Sequence, residues 1–261
     1  MIEVRKILVN SSFLLVDKLI SALYLFTLLL LMASTYSQTE YGAYQYALTL
    51  GILIGIILQF SDEKVIKHLF HVEDISLIVF STLVLKVTLS LFVLLVFLLL
   101  KLFLFIDPFI ATYLFYFLLA SIFVNLPYSM MVYFDYRMNS KLRAKALITG
   151  NTITFFLQLY FIFNGYDIKY IAISVLCGAL VSATLILTSF FKIRLNFKYI
   201  ISWSHFGLIF LRSVPFTLAA AAHMIYMRVD VLMIEYFMEY SSVAIYSVST
   251  QLMSLVAILI Y

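Results

Sequence analysis

Residues 76–106 read SLIVFSTLVLKVTLSLFVLLVFLLLKLFLFI, a run in which Lys86 and Lys101 are the only charged residues. An α-helix needs about 20 apolar residues to cross the ~30 Å hydrocarbon layer of a membrane. Because lipid offers the backbone no hydrogen-bond partner, only helices and closed barrels span that layer. The apolar residues are continuous rather than alternating with polar ones, which favours a helix. The stretch therefore predicts a transmembrane helix.

Similar stretches occupy most of the remaining chain. Together they give eight predicted spans, at 7–34, 42–60, 76–106, 109–133, 146–164, 168–191, 207–237 and 243–261. The composition agrees, since 65% of the residues are hydrophobic, 11% are charged and the mean hydropathy is +1.10. Soluble domains carry about 25% charged residues. We therefore expect an all-α fold, a polytopic membrane helix bundle without a folded soluble domain.

The basic residues fall mainly in every second connection between these spans. With a cytoplasmic N-terminus, the outer side holds only Lys101 and Lys169. The inner side holds twelve basic residues: Arg5, Lys6, Lys64, Lys67, Arg137, Lys141, Arg143, Lys145, Lys192, Arg194, Lys198 and Arg212. Cations concentrate in cytoplasmic loops of membrane proteins. We therefore predict a multi-pass protein of the cytoplasmic membrane with an inside N-terminus. The net charge of +4 then reflects topology and contact with membrane lipids, and no nucleic acid partner is expected.

The connection between the second and third spans, residues 61–74, mixes charged and apolar residues at helical spacing. This pattern is typical of an amphipathic helix lying at the membrane surface. Its histidines, His68 and His71, are interpreted as part of a solvated face, so no metal or cofactor is expected. Cys177 is the single cysteine and lies in the sixth span, so the chain forms no internal disulfide.

An internal repeat relates the two ends of the chain. An offset of 202 residues aligns 40–44 (EYGAY), at the start of the second span, with 242–246 (SVAIY), at the start of the eighth. Six spans separate the copies, so both have the same orientation, as in transporters built from parallel repeats. We therefore predict a first six-helix transmembrane lobe in residues 1–200. Residues 201–261 would be the first two helices of an incomplete second lobe, in a truncated gene or a piece of a longer protein.

Short motifs in the same places resemble a known family. Residues 10–15 (NSSFLL), with Asp17-Lys18, and residues 40–47 (EYGAYQYA) resemble the opening of O-antigen (Wzx-type) flippases of polysaccharide biosynthesis. Residues 227–233 (MRVDVLM) and 243–247 (VAIYS) resemble that family's seventh and eighth helices. The resemblance follows the helix order of the whole chain, although these motifs and their surroundings cover only about a quarter of it.

The resemblance implies a fold and a function. The fold is that of the multidrug/oligosaccharidyl-lipid/polysaccharide exporter superfamily, with two MATE-like lobes that open alternately to either side around a central cavity. The implied cargo is a polyprenyl-diphosphate-linked oligosaccharide, moved from the cytoplasmic to the outer leaflet. A proton or sodium ion would couple the movement, and the polysaccharide polymerase machinery would be a partner. The family has twelve or more helices, whereas eight spans are predicted in this chain.

Charged residues within the spans are candidates to bind this cargo, because each costs roughly 2.5–3.5 kcal/mol to insert. Arg228 is the first, since a guanidinium matches a diphosphate in a bidentate fork. The alternative is an ion pair with an acid on a neighbouring helix, such as Asp17. Lys86 and Lys18 are further candidates; the alternatives are structural pairing for Lys86 and, for Lys18, an ammonium reaching the headgroups.

Three other ionisable residues are candidates for ion coupling: Asp17 in the first span, and His223 and Asp230 in the seventh. Each can exchange a proton, and a carboxylate can also bind sodium. The alternative for Asp17 is a solvated position near the cytoplasmic end of its helix, and for His223 an interhelical hydrogen bond.

Asn151 and Gln158 lie on a polar face of the fifth span and are candidates to bind sugar. The alternative is that they form interhelical hydrogen bonds, each worth about 1 kcal/mol.

Other functions fit the residues less well. An exporter of cationic or aromatic compounds, with the same fold, needs acids in its cavity, whereas the charges within these spans are largely basic. A membrane enzyme acting on sugar donors needs a large outer loop or a cluster of carboxylates, and the predicted outer loops are short. We therefore expect no catalytic activity. A non-functional remnant of a flippase remains a third alternative.

Overall fold

The computed structural model describes residues 2–61, 63–103, 107–193 and 202–260, without the side chains of residues 2–15, 17 and 254–260. Every regular element in these ranges is helical. The helices are α1 (Ile2–Thr35), α2 (Gln38–Gly55), α3 (Glu63–Val72), α4 (Ile75–Phe103), α5 (Pro108–Asn125), α6 (Tyr128–Tyr136), α7 (Ser140–Phe163), α8 (Lys169–Ile193), α9 (Trp203–Phe237) and α10 (Tyr240–Ile260). A 3₁₀ turn, Ile56–Gln59, follows α2.

Seven helical segments of the described chain are long and apolar enough to cross a membrane. They are Lys18–Thr35, Gln38–Val72, Ile75–Phe103, Pro108–Tyr136, Ser140–Phe163, Lys169–Ile193 and Trp203–Phe237. The expected all-α architecture is therefore confirmed, and the chain has the helices of a multi-pass membrane protein. The predicted eighth span corresponds to α10, whose side chains are described only as far as Met253, and it stays a prediction.

Two of the predicted spans are interrupted. The second ends as an α-helix at Gly55 and continues as the 3₁₀ turn, while the fourth divides into α5 and α6 at Leu126-Pro127. Proline cannot donate a backbone hydrogen bond and its ring clashes with the preceding turn. Pro127 therefore accounts for the division of the fourth span, in which Leu126 and Pro127 separate α5 from α6. Breaks leave backbone carbonyls free to bind other groups.

The amphipathic helix predicted at residues 61–74 is present as α3, but its apolar face does not lie on lipid. Val65, Ile66, Leu69 and Phe70 are buried in a hydrophobic cluster with residues of α4, α6 and α9. Phe70 also meets the ring of Tyr133 edge to face, with 6.3 Å between centroids. The alternation of apolar and charged residues predicted an amphipathic helix but not the identity of the surface that covers it.

Helices α7 and α8 form the most extensive contact between two helices of the described structure. Gly150 and Gly178 face each other, and a Cβ built on either would lie 2.5–2.6 Å from the other's carbonyl oxygen. Small residues let membrane helices approach this closely, so that backbones make van der Waals contact. The series Ser174, Gly178 and Ser182 is a close-packing signal in the sequence, and here it serves a contact within the chain.

The helices at the two ends of the chain meet each other. α2 packs along α10. Each of these helices also contacts the neighbour of the other, because α1 contacts α10 and α9 contacts α2. Gly42 permits the approach, because a Cβ there would lie 1.7 Å from the carbonyl oxygen of Tyr240. An approximate twofold relating α1–α2 to α9–α10 would give such a pattern. The division into lobes at residue 200 stays a prediction.

Candidate functional site: a neutral cleft and a buried lysine

A cleft of about 370 Å³ lies among α1, α2, α7, α8 and α10. Its walls are mostly apolar, with a group of neutral polar side chains and several aromatic rings. The polar and aromatic lining residues include Ser21, Tyr24, Tyr41, Tyr44, Gln45, Phe117, Asn151, Thr154, Phe155, Gln158 and Gln251. None of the described residues that line the cleft is charged.

Contacts between α1 and α7 form one wall of the cleft. The rings of Tyr24 and Phe155 stack with 4.2 Å between their centroids. The Tyr24 hydroxyl is 3.1 Å from the Thr152 hydroxyl, and the Asn151 amide donates to the Ser21 hydroxyl across 3.1 Å. Asn151 is otherwise an exposed residue, so its amide is accessible from the cleft. The predicted sugar-binding residue therefore lies in a cleft and also forms an interhelical hydrogen bond.

Glutamines on three helices form the opposite side. The Gln158 amide is buried and donates to the carbonyl of Ile171 in α8 at 3.3 Å. Gln45 donates to the Tyr41 hydroxyl at 2.7 Å and accepts from the Gln251 amide at 3.1 Å, which links α2 to α10. Sequence reasoning missed Gln45 and Gln251. Both are amides within apolar spans, four residues from equivalence at the 202-residue offset of the repeat, and this position is the sequence signal that could have found them.

Lys86 does not lie in this cleft. It is 1% exposed, its ammonium donates to the backbone carbonyl of Leu58, and it lies 4.8 Å from the centroid of the Tyr128 ring. The break after α2 frees the Leu58 carbonyl, so the lysine reaches across from α4 to the end of a broken helix. Its cavity, of about 290 Å³, is also lined by Gln59, Ser61, Asn125, Phe216, Thr217 and Ala220.

A third cavity, of about 350 Å³, lies between these two. It shares Asn151 and Thr154 with the cleft and Asn125 with the Lys86 cavity. Polar side chains therefore follow one another from the cleft to the breaks in the second and fourth spans. Broken helices with carbonyls facing a cavity are the usual place for ion and substrate sites in transporters.

Of the remaining predicted site residues, those with described side chains do not line the cleft, the Lys86 cavity or the cavity between them. Arg228 is half-buried on α9, while His223 and Asp230 are exposed on the same helix. The Asp230 carboxylate accepts a hydrogen bond of 2.6 Å from the Tyr246 hydroxyl of α10. Lys18 is exposed on α1, and the side chain of Asp17 lies outside the described residues. The structure thus brings together Asn151 and Gln158, whereas His223 and Asp230 are exposed on α9 and the set that includes Asp17 stays a prediction.

The end of the bundle that is predicted to face outward carries carboxylates. Glu40, Asp107 and Asp167 line a cavity of about 760 Å³ there, with Lys169 paired to Asp167 at 2.9 Å. Tyr36 donates to the carbonyl of Tyr166 and ties the α1–α2 connection to the α7–α8 turn. Burial, with the nearby negative charge of Glu40 and Asp167, raises the pKa of Tyr36.

Comparison with known proteins adds no relative. No family model, no curated protein and no solved structure matches the chain. Within the described residues, no group of three or more His, Cys, Asp or Glu residues is arranged to hold a metal ion.

Proposed function

We propose that this protein moves a polyprenyl-diphosphate-linked oligosaccharide across the cytoplasmic membrane of a bacterium by alternating access. The observation that carries the proposal is the neutral cleft. Its amides, hydroxyls and stacked rings lie among membrane-spanning helices, where polar groups are costly unless they serve packing or a ligand. Asn151 and Gln251 come from α7 and α10, so movement between those helices would change the cleft.

The chemistry of the cleft suits a sugar. Amides both donate and accept hydrogen bonds, which matches hydroxyl groups that do the same. The stacked Tyr24 and Phe155 rings offer an apolar surface to the C–H groups of a sugar. A cavity that is mostly apolar, with a few convergent polar groups, is the common form of a small-molecule site.

Basic residues outside the cleft are the candidates for the diphosphate. Lys18 lies one helical turn before Ser21 of the cleft, and Arg228 is half-buried on α9 with its guanidinium able to form a bidentate contact. Lys86 is bonded to a protein carbonyl in a separate cavity, so we do not assign it to the diphosphate. Asp17, His223 and Asp230 remain the candidates for proton or sodium coupling.

An exporter of cationic compounds is the alternative within the same fold. It would attract its cargo with carboxylates, and the described lining of the cleft consists of neutral groups only. The two functions therefore differ in the ligand expected to bind at Asn151 and Gln158.

Binding to the purified protein tests the proposal without requiring a complete transport cycle. We expect a radiolabelled polyprenyl-diphosphate oligosaccharide to bind in detergent, and the double variant Asn151→Leu/Gln158→Leu to bind at least about tenfold more weakly, since it removes two amides. The matched control is Asn139→Ala, because Asn139 is an exposed amide without a side-chain cap hydrogen bond. Binding of a cationic dye at the same residues, with no binding of the lipid, would overturn the proposal.

Transport itself is tested in a bacterium that lacks its own flippase. We expect the gene to restore surface polysaccharide, and Arg228→Ala or Asp17→Asn to abolish that restoration. A cysteine placed at Lys141 should be unreactive to an impermeant thiol reagent in intact cells. Labelling from outside would reverse the predicted orientation and contradict export in this direction.

A further inference from the structure

The cavity around Lys86 has an excess of hydrogen-bond donors. The Lys86 ammonium has three N–H groups and gives one of them to the Leu58 carbonyl. Ser61 is 1% exposed and lines the same cavity, and its hydroxyl has no hydrogen-bond partner within the described structure. Asn125 donates one of its two amide hydrogens to the Ser121 carbonyl, which leaves the second. All three residues line the same cavity, and the side chains of Lys86 and Ser61 are buried there.

The positive charge in this cavity has no acidic partner among the described lining residues. A buried charge is costly unless it is paired, and a carbonyl with an aromatic ring neutralises none of it. Glu63 is the described acid that lies nearest to Ser61 in the sequence, and it forms an ion pair with Lys67, one helical turn further on. Asp62 lies outside the described residues, and the variant Asp62→Asn tests whether it pairs with Lys86.

We infer that the Lys86 cavity binds a small inorganic anion, of the size and charge of chloride. The ammonium would supply the charge, and the Ser61 hydroxyl and the Asn125 amide would supply further donors. The cavity, at about 290 Å³, holds such an ion with several waters, each of which occupies about 30 Å³. The bound anion would hold α4 to the broken ends of α2 and α5. This inference is independent of the proposed cargo, because the cavity is separate from the cleft.

Thermal unfolding of the purified protein tests the inference. A ligand that binds only the folded state raises the melting temperature as its concentration increases. Cys177 is the single cysteine, half-buried in α8 and outside the Lys86 cavity, so a thiol-reactive dye reports unfolding. We expect the melting temperature to rise as sodium chloride or bromide replaces sodium gluconate at constant ionic strength. No change, or the same rise in Lys86→Met, would overturn the inference.

Matched variants separate the site from general salt effects. Lys101→Met removes an exposed lysine from the same helix and should keep the full response to chloride. Ser61→Ala should raise the half-saturating chloride concentration roughly tenfold, since it removes one hydrogen bond to an ion. Ser174→Ala, a buried serine bonded to Ile171, is its control. If Lys86→Met does not fold, the shift in Ser61→Ala decides the question, and an unshifted response contradicts the site.

Asp62→Asn decides whether the protein supplies its own anion. If a bound chloride neutralises Lys86, this variant responds to chloride as the natural protein does. If Asp62 is the partner of Lys86, chloride stabilises only the Asp62→Asn variant, and the inference is wrong. Direct binding of radioactive chloride to the natural protein and to Lys86→Met gives the same distinction without unfolding.

Discussion

Helices α8 and α9 are both long and apolar, yet they are packed very differently. In an 18-residue apolar window, 44% of the α8 residues are buried, against 17% in α9. α8 meets α7 through facing glycines, whereas α9 exposes Tyr226, Tyr236 and Phe237. Lipid is as apolar as a leucine side chain, so hydrophobicity does not draw membrane helices together. Close packing between small residues does, and α9 has little of it.

The same difference separates the polar residues of the two regions. On α7 and α8, Gln158 and Ser174 are buried and hydrogen-bonded, and the exposed Asn151 lines the cleft. On α9, His223 and Asp230 are exposed and Arg228 is half-buried. Ionisable groups in a span require protein or water around them. On α9, His223 and Asp230 are therefore left uncovered by the described helices.

The largest effect is expected from filling the α7–α8 contact. Gly178→Leu places a side chain against the Thr154 hydroxyl and the Gly150 carbonyl, so the helices must separate. We expect a loss of about 3 kcal/mol, the upper part of the range for overpacking, and a much lower temperature of aggregation by size-exclusion after heating. Gly207→Leu on α9 has no atom within 4 Å of its new Cβ and should change little. Equal losses in both variants would contradict the contrast between α8 and α9.

A smaller loss of stability is expected from filling the contact between α2 and α10. Gly42→Leu collides with the carbonyl of Tyr240, which is the first residue of α10, whereas Gly178 lies in the middle of α8. We expect a loss of about 1–2 kcal/mol. In a Cys177→Ala background, the double variant Gln45→Cys/Gln251→Cys should be crosslinked by a short bifunctional thiol reagent, because the ends of the two glutamine side chains lie 3.1 Å apart. Gly42→Leu should reduce that crosslinking, and an unchanged yield would mean that the glycine does not set the approach.

The Thr217 hydroxyl forms a hydrogen bond that links α9 to the 3₁₀ turn after α2. Thr217 donates to the Ser213 carbonyl at 3.0 Å and approaches the Gln59 carbonyl at 3.3 Å. Thr217→Val keeps the shape and removes the hydroxyl, so we expect a loss of about 1 kcal/mol. Hydrogen exchange should quicken in α9 around residue 217 and remain unchanged in α8. Thr184→Val, on an exposed face of α8, is the matched control.

The smallest effect is expected at the wall of the cleft. Tyr24→Phe keeps the ring stacked on Phe155 and removes only the contact with the Thr152 hydroxyl. We expect a loss of about 0.5 kcal/mol in thermal unfolding, at the low end for one hydrogen bond. Tyr24→Ala also removes the stacked ring and should cost more than the Phe variant. If both variants lose the same amount, the hydroxyl rather than the ring holds α1 to α7.

Part of the site could be predicted from the sequence. Asn151 and Gln158 stand out because amides are rare within apolar spans, and the structure brings both to the cleft. Lys86 stands out because a charged residue is rare within an apolar span. Its partner, however, is the backbone carbonyl of Leu58, and a backbone carbonyl carries no signature in the sequence. Gln251 reaches Gln45 from more than 200 residues away. Such partners depend on how the helices pack.

The sequence by itself determined that the chain is helical and that most of its helices can span a membrane. The reason is physical: long apolar runs in lipid leave the backbone no partner but itself. The tertiary structure decided where the helices break, which polar groups share a cavity and which surface covers α3. These depend on contacts between distant small residues, on freed carbonyls and on the shapes of facing helices, and no local pattern encodes them.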